Sequence, residues 1–137
     1  MKKMLLMAVL LLTAAVAQAE DWKLVYQDDE QSFYVRTDNY DAARNRVWVK
    51  NTFDTPACRA QKMKNYDCKD TPCFSLQQFQ FDKNFGNYAV RYYAFFAQDG
   101  AELFAVNFTD DEVNYMMVTD QSLPAIIAQA AEALDQR

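Results

Sequence analysis

The sequence predicts an α+β domain, in which an antiparallel sheet of about six strands is followed by one C-terminal helix packed on it. Three observations lead to this fold class. Apolar residues between positions 22 and 108 come in short runs, as in strands, and not at helical spacing. Asp99-Gly100 separates two of these runs, and this dipeptide favours a tight hairpin. Near the C-terminus, apolar residues recur at helical spacing: Leu123, Ile126, Ile127, Ala130 and Leu134.

Six runs have the length and composition of strands. They are rich in β-branched and aromatic residues, and turn-forming residues such as Asp28-Asp29-Glu30 separate them. In the fourth run the apolar positions change phase, which predicts a β-bulge near Gln77-Gln78. The predicted strands are Trp22–Gln27, Ser32–Thr37, Arg46–Phe53, Phe74–Phe81, Asn87–Ala97 and Glu102–Phe108.

Two further segments complete the chain. Residues 54–72 contain two prolines and no clear periodicity, so we expect a long irregular loop, which in compact domains is usually functional or mobile. Ser122 and Pro124 precede the helical pattern. A serine can cap a helix and a proline fits its first turn, so the last helix should begin here.

The first residues have the composition of a secretory signal peptide. Lys2 and Lys3 precede an apolar run from Met4 to Val16, and Ala17-Gln18-Ala19 supplies the small residues of a cleavage site. The alternative is a retained membrane anchor, but the run is shorter than the roughly 20 residues that a bilayer requires. We expect residues 1–19 to be removed and residues 20–137 to form a single domain.

This signal predicts export to the periplasm or the medium. No cysteine follows the apolar run directly, so we expect a non-lipidated protein without a stable membrane anchor. The full chain has a net charge of −5, and loss of Lys2 and Lys3 would leave 12 basic against 19 acidic residues, a net charge of −7. An acidic surface repels phosphate backbones, which argues against nucleic acid as a partner.

The composition also argues against most catalytic chemistry. The chain has no histidine, which removes the usual general base and a common zinc ligand. Its only glycines are Gly86 and Gly100, so it has no glycine-rich phosphate-binding loop. We therefore expect no enzyme activity, no cofactor and no metal.

Three cysteines, Cys58, Cys68 and Cys73, remain after signal cleavage. In an oxidising compartment we expect two of them to form a disulfide, closing either the short loop between Cys68 and Cys73 or a larger loop that involves Cys58. The sequence leaves this choice open. Their spacing is not that of a zinc site.

Aromatic residues are concentrated in the last predicted hairpin. Strand alternation groups Tyr88, Val90, Tyr92, Ala94 and Phe96 on one side, and we expect one side to form the core under the helix. The other side would carry an arginine among aromatics, which is typical of a binding surface. The alternative is that the helix or the long loop covers them. The candidate binding residues are Arg91, Tyr93 and Phe95.

The layout resembles the surface-adhesin protein E family over about Trp22 to Leu134. The resemblance rests on aromatic positions near the mature start, on a strand-forming Arg46–Lys50 segment and on turn motifs. The residues that carry it are Trp22, Tyr26, Tyr34, Asp38, Tyr40, Arg46-Val47-Trp48-Val49-Lys50, Phe74-Ser75-Leu76, Gln98-Asp99-Gly100 and Asp120-Gln121-Ser122.

This resemblance implies a small exported bacterial domain with a curved antiparallel sheet, one C-terminal helix and a non-catalytic binding role towards a protein partner. Two departures stand out. Where the family commonly has a disulfide, this chain has Asp82-Lys83 and Ala130-Ala131, and it lacks a lipidation cysteine. Two alternative functions are a periplasmic enzyme or enzyme inhibitor using acids or Cys58, and a structural envelope component that forms a homo-oligomer through an open sheet edge.

Overall fold

The computed structural model describes residues 21–62 and 71–136. In these ranges the chain forms seven strands and two helices in the order β1 to β3, α1, β4 to β7, α2. Their bounds are β1 Trp22–Gln27, β2 Gln31–Arg36, β3 Arg46–Phe53, α1 Pro56–Lys62, β4 Phe74–Phe81, β5 Asn87–Phe96, β6 Glu102–Asn107, β7 Met116–Met117 and α2 Leu123–Asp135.

The strands form one open antiparallel sheet in the order of the sequence, from β1 to β6. The predicted α+β class and the six predicted strands are confirmed. The short β7 was not predicted. It pairs with Asn87 and Tyr88 at the start of β5. Further along the same edge of β5, residues Tyr92 to Phe96 pair with β6.

The main core lies between one face of the sheet and α2. Ile127 and Ala131, both with no exposed surface, pack there against buried valine and phenylalanine side chains of β2, β3 and β4. We call this the helix-side face of the sheet. Its buried members are Phe33, Val35, Val47, Val49, Phe79 and Phe81.

The predicted start of the last helix is confirmed in detail. Ser122 is the N-cap of α2, and its hydroxyl oxygen accepts a hydrogen bond from the backbone N–H of Ala125, while Pro124 lies in the first turn. The β5–β6 hairpin also turns at the predicted place. Gly100 has a φ of 93°, a left-handed conformation that glycine adopts without steric cost.

The predicted β-bulge is displaced to the partner strand. Gln78 of β4 pairs with Tyr92 and Phe79 pairs with Val90, so Arg91 of β5 is the extra residue without a partner on β4. The apolar phase of β4 changes because both faces of the sheet carry apolar side chains. Phe79 lies on the helix-side face, and Phe74 lies on the opposite face, where its ring stacks on Phe96.

The bulge also corrects the predicted grouping of side chains on β5. Tyr88 and Val90 pack against the core as expected. Beyond Arg91 the alternation is reversed, because one extra residue exchanges the faces of all the following positions. Tyr92, Ala94 and Phe96 therefore lie on the face opposite the helix, and Tyr93 and Phe95 lie on the helix-side face.

The expected irregular loop contains a short helix. Residues 56–62 form α1, which is tied to the end of the sheet by a disulfide between Cys58 and Cys73 with an S–S distance of 2.14 Å. Of the two connectivities that the sequence left open, the structure has the larger loop. Cys68 lies outside the described residues.

The proposed signal peptide, residues 1–19, also lies outside the described ranges. Neither α1 nor α2 is long and apolar enough to cross a membrane.

Candidate functional site

The candidate site is a cleft on the helix-side face of the sheet, next to the part that α2 covers. Its volume is about 530 Å³, and its lining is mainly apolar. Small-molecule and side-chain binding sites commonly have volumes of a few hundred Å³ and an apolar lining with a few polar groups. The lining residues are Gln77, Val90, Tyr93, Phe95, Phe108, Glu112, Asn114 and Met116.

An aromatic cluster forms the floor of the cleft. Tyr93 is its centre, with ring centroids 5.8 Å from Phe95, 5.9 Å from Phe104 and 6.0 Å from Phe108. The register places these rings together, because Tyr93 pairs with Gln77 on β4 and Phe95 pairs with Phe104 on β6. Phe104 remains 52% exposed, so the cluster continues from the cleft onto the surface.

The segment between β6 and β7 forms the other wall. It leaves β6 through a turn in which the backbone N–H of Glu112 donates to the Thr109 carbonyl at 2.9 Å, and the Glu112 carboxylate accepts from the Thr109 N–H at 3.0 Å. The segment then returns to the sheet through β7, where Met116 pairs with Tyr88. Both ends of this wall are therefore fixed to β5 or β6.

Arg91 holds this wall against the sheet. Its guanidinium Nη2 donates to Asp110 Oδ1 at 2.6 Å, and its backbone carbonyl accepts from the Phe108 N–H at 2.8 Å. The Arg91 side chain is 14% exposed, whereas that of Asp110 is 85% exposed. The hydrogen bond from Arg91, with its positive charge, lowers the pKa of the Asp110 carboxyl below its ordinary value.

The pKa shift gives a pH-dependent prediction for the wall. Because the pKa of Asp110 is lowered in the folded state, the contact stabilises the wall fully at pH values above the ordinary aspartate pKa of about 3.9. This stabilisation is lost as the pH falls through the folded-state pKa. We expect Asp110→Asn to speed hydrogen exchange of the Phe108 amide by roughly two- to five-fold at neutral pH, since exposed ion pairs are weak. The variant and the wild type should converge below the folded-state pKa of Asp110.

Asp111→Asn is the matched control, because Asp111 is the exposed neighbour and makes no ion pair within the described ranges. It should leave the exchange of Phe108 unchanged. Equal effects of the two variants would show that Asp110 does not hold the wall through Arg91.

Two of the three predicted site residues line the cleft together. Tyr93 and Phe95 are part of its floor, whereas Arg91 does not line it and acts on its wall through Asp110. Sequence reasoning missed the residues that come from other elements. Phe108 ends the last predicted strand of the aromatic-rich hairpin, but no local pattern placed the segment of Glu112, Asn114 and Met116 against β5.

The lining of the cleft contains few ionisable groups. Glu112 is the only ionisable acid or base, apart from the tyrosine, among the lining residues, and its carboxylate already accepts the Thr109 N–H. The Sγ atom of Cys58 is bonded to Cys73, so Cys58 provides no free thiol nucleophile. In residues 21–62 and 71–136, no group of three or more His, Cys, Asp or Glu side chains could hold a metal ion.

Comparison of the chain with protein-family models, with curated proteins and with solved structures finds no match.

Proposed function

We propose that this chain is an exported, non-catalytic binding domain that receives an apolar side chain of a protein partner in the cleft beside Tyr93. The observation that carries the proposal is the open cleft of about 530 Å³ with an aromatic floor. Aromatic and methionine side chains are enriched in the cores of protein interfaces, and charged residues are depleted there. The sequence resemblance to the surface-adhesin protein E family agrees with such a role.

The rim of the cleft supports a protein partner more than a small enclosed ligand. Phe104, whose ring contacts Tyr93, and Met116, which lines the cleft, are large apolar side chains that remain 52% and 51% exposed. Contiguous exposed apolar side chains commonly mark interaction sites. Methionine is flexible and adapts its shape to a partner. The Cys58–Cys73 disulfide supports export, because such bonds persist in oxidising compartments.

The test replaces Tyr93 by alanine. Buried aromatic contacts at the centre of an interface often contribute 2 kcal/mol or more on truncation, so we expect binding to isolated envelope partners to weaken by more than about tenfold. The measurement is the dissociation constant for each protein captured by the wild-type domain from periplasmic and surface fractions. Circular dichroism checks that the variant keeps its fold.

Two further variants make this test decisive. Met116→Ala changes the rim of the cleft and leaves the ring cluster intact, and it should also weaken binding. It replaces Tyr93→Ala as the test if that variant does not fold. Leu24→Ala removes an exposed apolar side chain on β1, far from the cleft in the sheet order, and should have no effect. Unchanged binding by folded Tyr93→Ala and Met116→Ala would overturn the proposal.

A second candidate function is a structural envelope component that assembles through a sheet edge. It is favoured by β6, which is the last strand of the sheet and carries the exposed Phe104. Size-exclusion chromatography with light scattering distinguishes the two functions. A stable oligomer that Phe104→Lys dissociates would favour assembly, and a monomer would exclude it.

A further inference from the structure

The face of the sheet opposite α2 carries a second set of aromatic side chains. The register places Tyr34, Lys50 and Leu76 side by side across β2, β3 and β4, and Trp48, Gln78 and Tyr92 across β3, β4 and β5. On β1, Leu24 continues the first row opposite Tyr34, and Trp22 pairs with Arg36 on the same face. We call Trp22, Tyr34, Trp48, Lys50 and Tyr92 the aromatic platform. All five side chains are partly exposed.

The platform has a defined internal geometry. Trp48 and Tyr92 meet edge to face with ring centroids 5.5 Å apart. The Lys50 ammonium lies 4.9 Å from the centroid of Trp22 and 5.8 Å from that of Tyr34, which are cation–π distances. Lys50 makes no ion pair within residues 21–62 and 71–136. Its positive charge is thus held on an aromatic surface without a carboxylate partner from these residues.

The charged residues within the strands that form this face are all basic. Strands β2 to β5 contain no Asp or Glu, although the whole chain has a net charge of −5. The basic residues Arg36, Arg46 and Lys50 occupy positions on the platform side of these strands. Asp38 pairs with Arg36 at 2.8 Å. Arg46 donates to the neutral Gln80 amide oxygen at 2.8 Å, and its charge also helps to lower the pKa of the Asp41 and Asp110 carboxyls. Lys50, which has no carboxylate partner within the described ranges, therefore favours a ligand that brings its own negative charge.

We propose that the aromatic platform binds an acidic polysaccharide, a chain of pyranose rings with carboxylate groups. A pyranose ring has an apolar C–H face that can stack on the exposed faces of Trp48 and Tyr92, and its hydroxyl rim can bond the side-chain amides of Gln78 and Gln80. The carboxylates supply the partner for Lys50. A purely apolar protein surface fits less well, because it would bury Lys50 without a counter-ion.

Two features set this occupant apart from a single-stranded nucleic acid. Bases also stack on aromatic rings, but such sites combine stacking with a positively charged groove along the phosphate backbone. Here the platform side of β2 to β5 carries three basic residues, Arg36, Arg46 and Lys50, of which Arg36 is paired with Asp38, and the whole chain has a net charge of −5. The disulfide also points to an oxidising compartment outside the cytoplasm, where envelope and extracellular polysaccharides occur.

The chain offers a direct readout, since its only two tryptophans, Trp22 and Trp48, both lie on the platform. Titration of the wild-type protein with oligogalacturonate should change the tryptophan fluorescence saturably, and added salt should weaken the binding. Neutral dextran should give a much smaller change. We expect Lys50→Met to raise the dissociation constant for oligogalacturonate at least about tenfold while keeping the aliphatic stem in place.

Lys23→Met is the matched control, because Lys23 is exposed on β1 and pairs with Val35 of the helix-side face. It removes the same charge and should leave the affinity unchanged. Trp48→Leu should also abolish binding, and circular dichroism shows whether that variant folds. If Trp48→Leu does not fold, Lys50→Met still tests the proposal, because Lys50 is only partly buried and its replacement should leave the fold intact.

Four results would overturn the proposal. They are the absence of a fluorescence change at millimolar oligogalacturonate, equal affinity for dextran, unchanged affinity of Lys50→Met, and tighter binding of a single-stranded oligonucleotide than of oligogalacturonate. The platform and the cleft are separable, because Tyr93→Ala should leave oligogalacturonate binding intact. Loss of that binding in Tyr93→Ala, but not in Lys50→Met, would assign the ligand to the cleft and overturn the platform.

Discussion

Replacement of Ile127 by alanine is expected to lower the free energy of unfolding by about 2 to 5 kcal/mol. Ile127 has no exposed surface and packs from α2 into the core between Val47, Val49 and their neighbours on the sheet. The truncation removes buried methyl and methylene groups and leaves a cavity where dense packing existed. Urea unfolding monitored by circular dichroism measures the loss as a lower midpoint at an unchanged slope.

Ile126→Ala is the matched control for this prediction. It removes the same atoms from the adjacent residue of the same helix, and it changes helix propensity equally, but Ile126 is only partly buried. Its effect should be clearly smaller than that of Ile127→Ala. Equal losses in the two variants would mean that the helix docks on the sheet in another rotation.

Loss of the disulfide is expected to destabilise the domain by about 3 kcal/mol. Cys58 and Cys73 are 15 residues apart in the chain, and closing a loop of that size in the unfolded state removes conformational entropy of about this magnitude. The double variant Cys58→Ala/Cys73→Ala, made in a Cys68→Ser background to prevent thiol exchange, should show the loss in thermal and urea unfolding. The comparison is with Cys68→Ser alone.

Reduction of the wild-type protein provides an independent measurement. Cys58 and Cys73 are 1% and 2% exposed, so dithiothreitol should reduce the bond slowly in the native state and rapidly in denaturant. The reduced protein should then unfold at the same urea concentration as the double variant. A native-state reduction as fast as that in denaturant would contradict the buried position of the bond.

The parts of the fold that sequence predicted are those that local chemistry determines. Gly100 supplies the positive φ of the β5–β6 turn, Ser122 caps α2, and the apolar spacing around Ile127 identifies the buried face of that helix. Each of these signals lies within a few residues of the feature that it specifies. Such signals identified all six main strands and the last helix.

The parts that sequence missed depend on contacts between distant residues. Residues 56–62 form α1 although Pro56 begins them and no apolar periodicity marks them, and the disulfide to Cys73 and the contacts of Gln61 with Thr71 and Gln98 fix it in place. The two-residue β7 has too few residues for any periodic pattern. Its pairing with Asn87 and Tyr88 is a tertiary contact.

The candidate site was partly predictable for the same reason. Tyr93 and Phe95 belong to one strand, and alternation correctly placed them on one face together. The role of Arg91 could not be read in this way, because its partner Asp110 lies 19 residues further along the chain. To predict the wall of the cleft, one would need to know where the chain returns to the sheet after β6.

The bulge at Arg91, which has no partner residue on β4, affects how this strand tolerates insertions and deletions. Tyr92 and Tyr93 are consecutive and chemically identical, yet Tyr92 belongs to the platform and Tyr93 lines the cleft. Removing Arg91 would remove the bulge and leave both tyrosines on their present faces, because Val90 would still pair with Phe79 and Tyr92 with Gln78. Length changes are commonly harmless in loops, but one residue gained or lost elsewhere within Asn87–Phe96 would exchange the two faces for the positions on one side of the change.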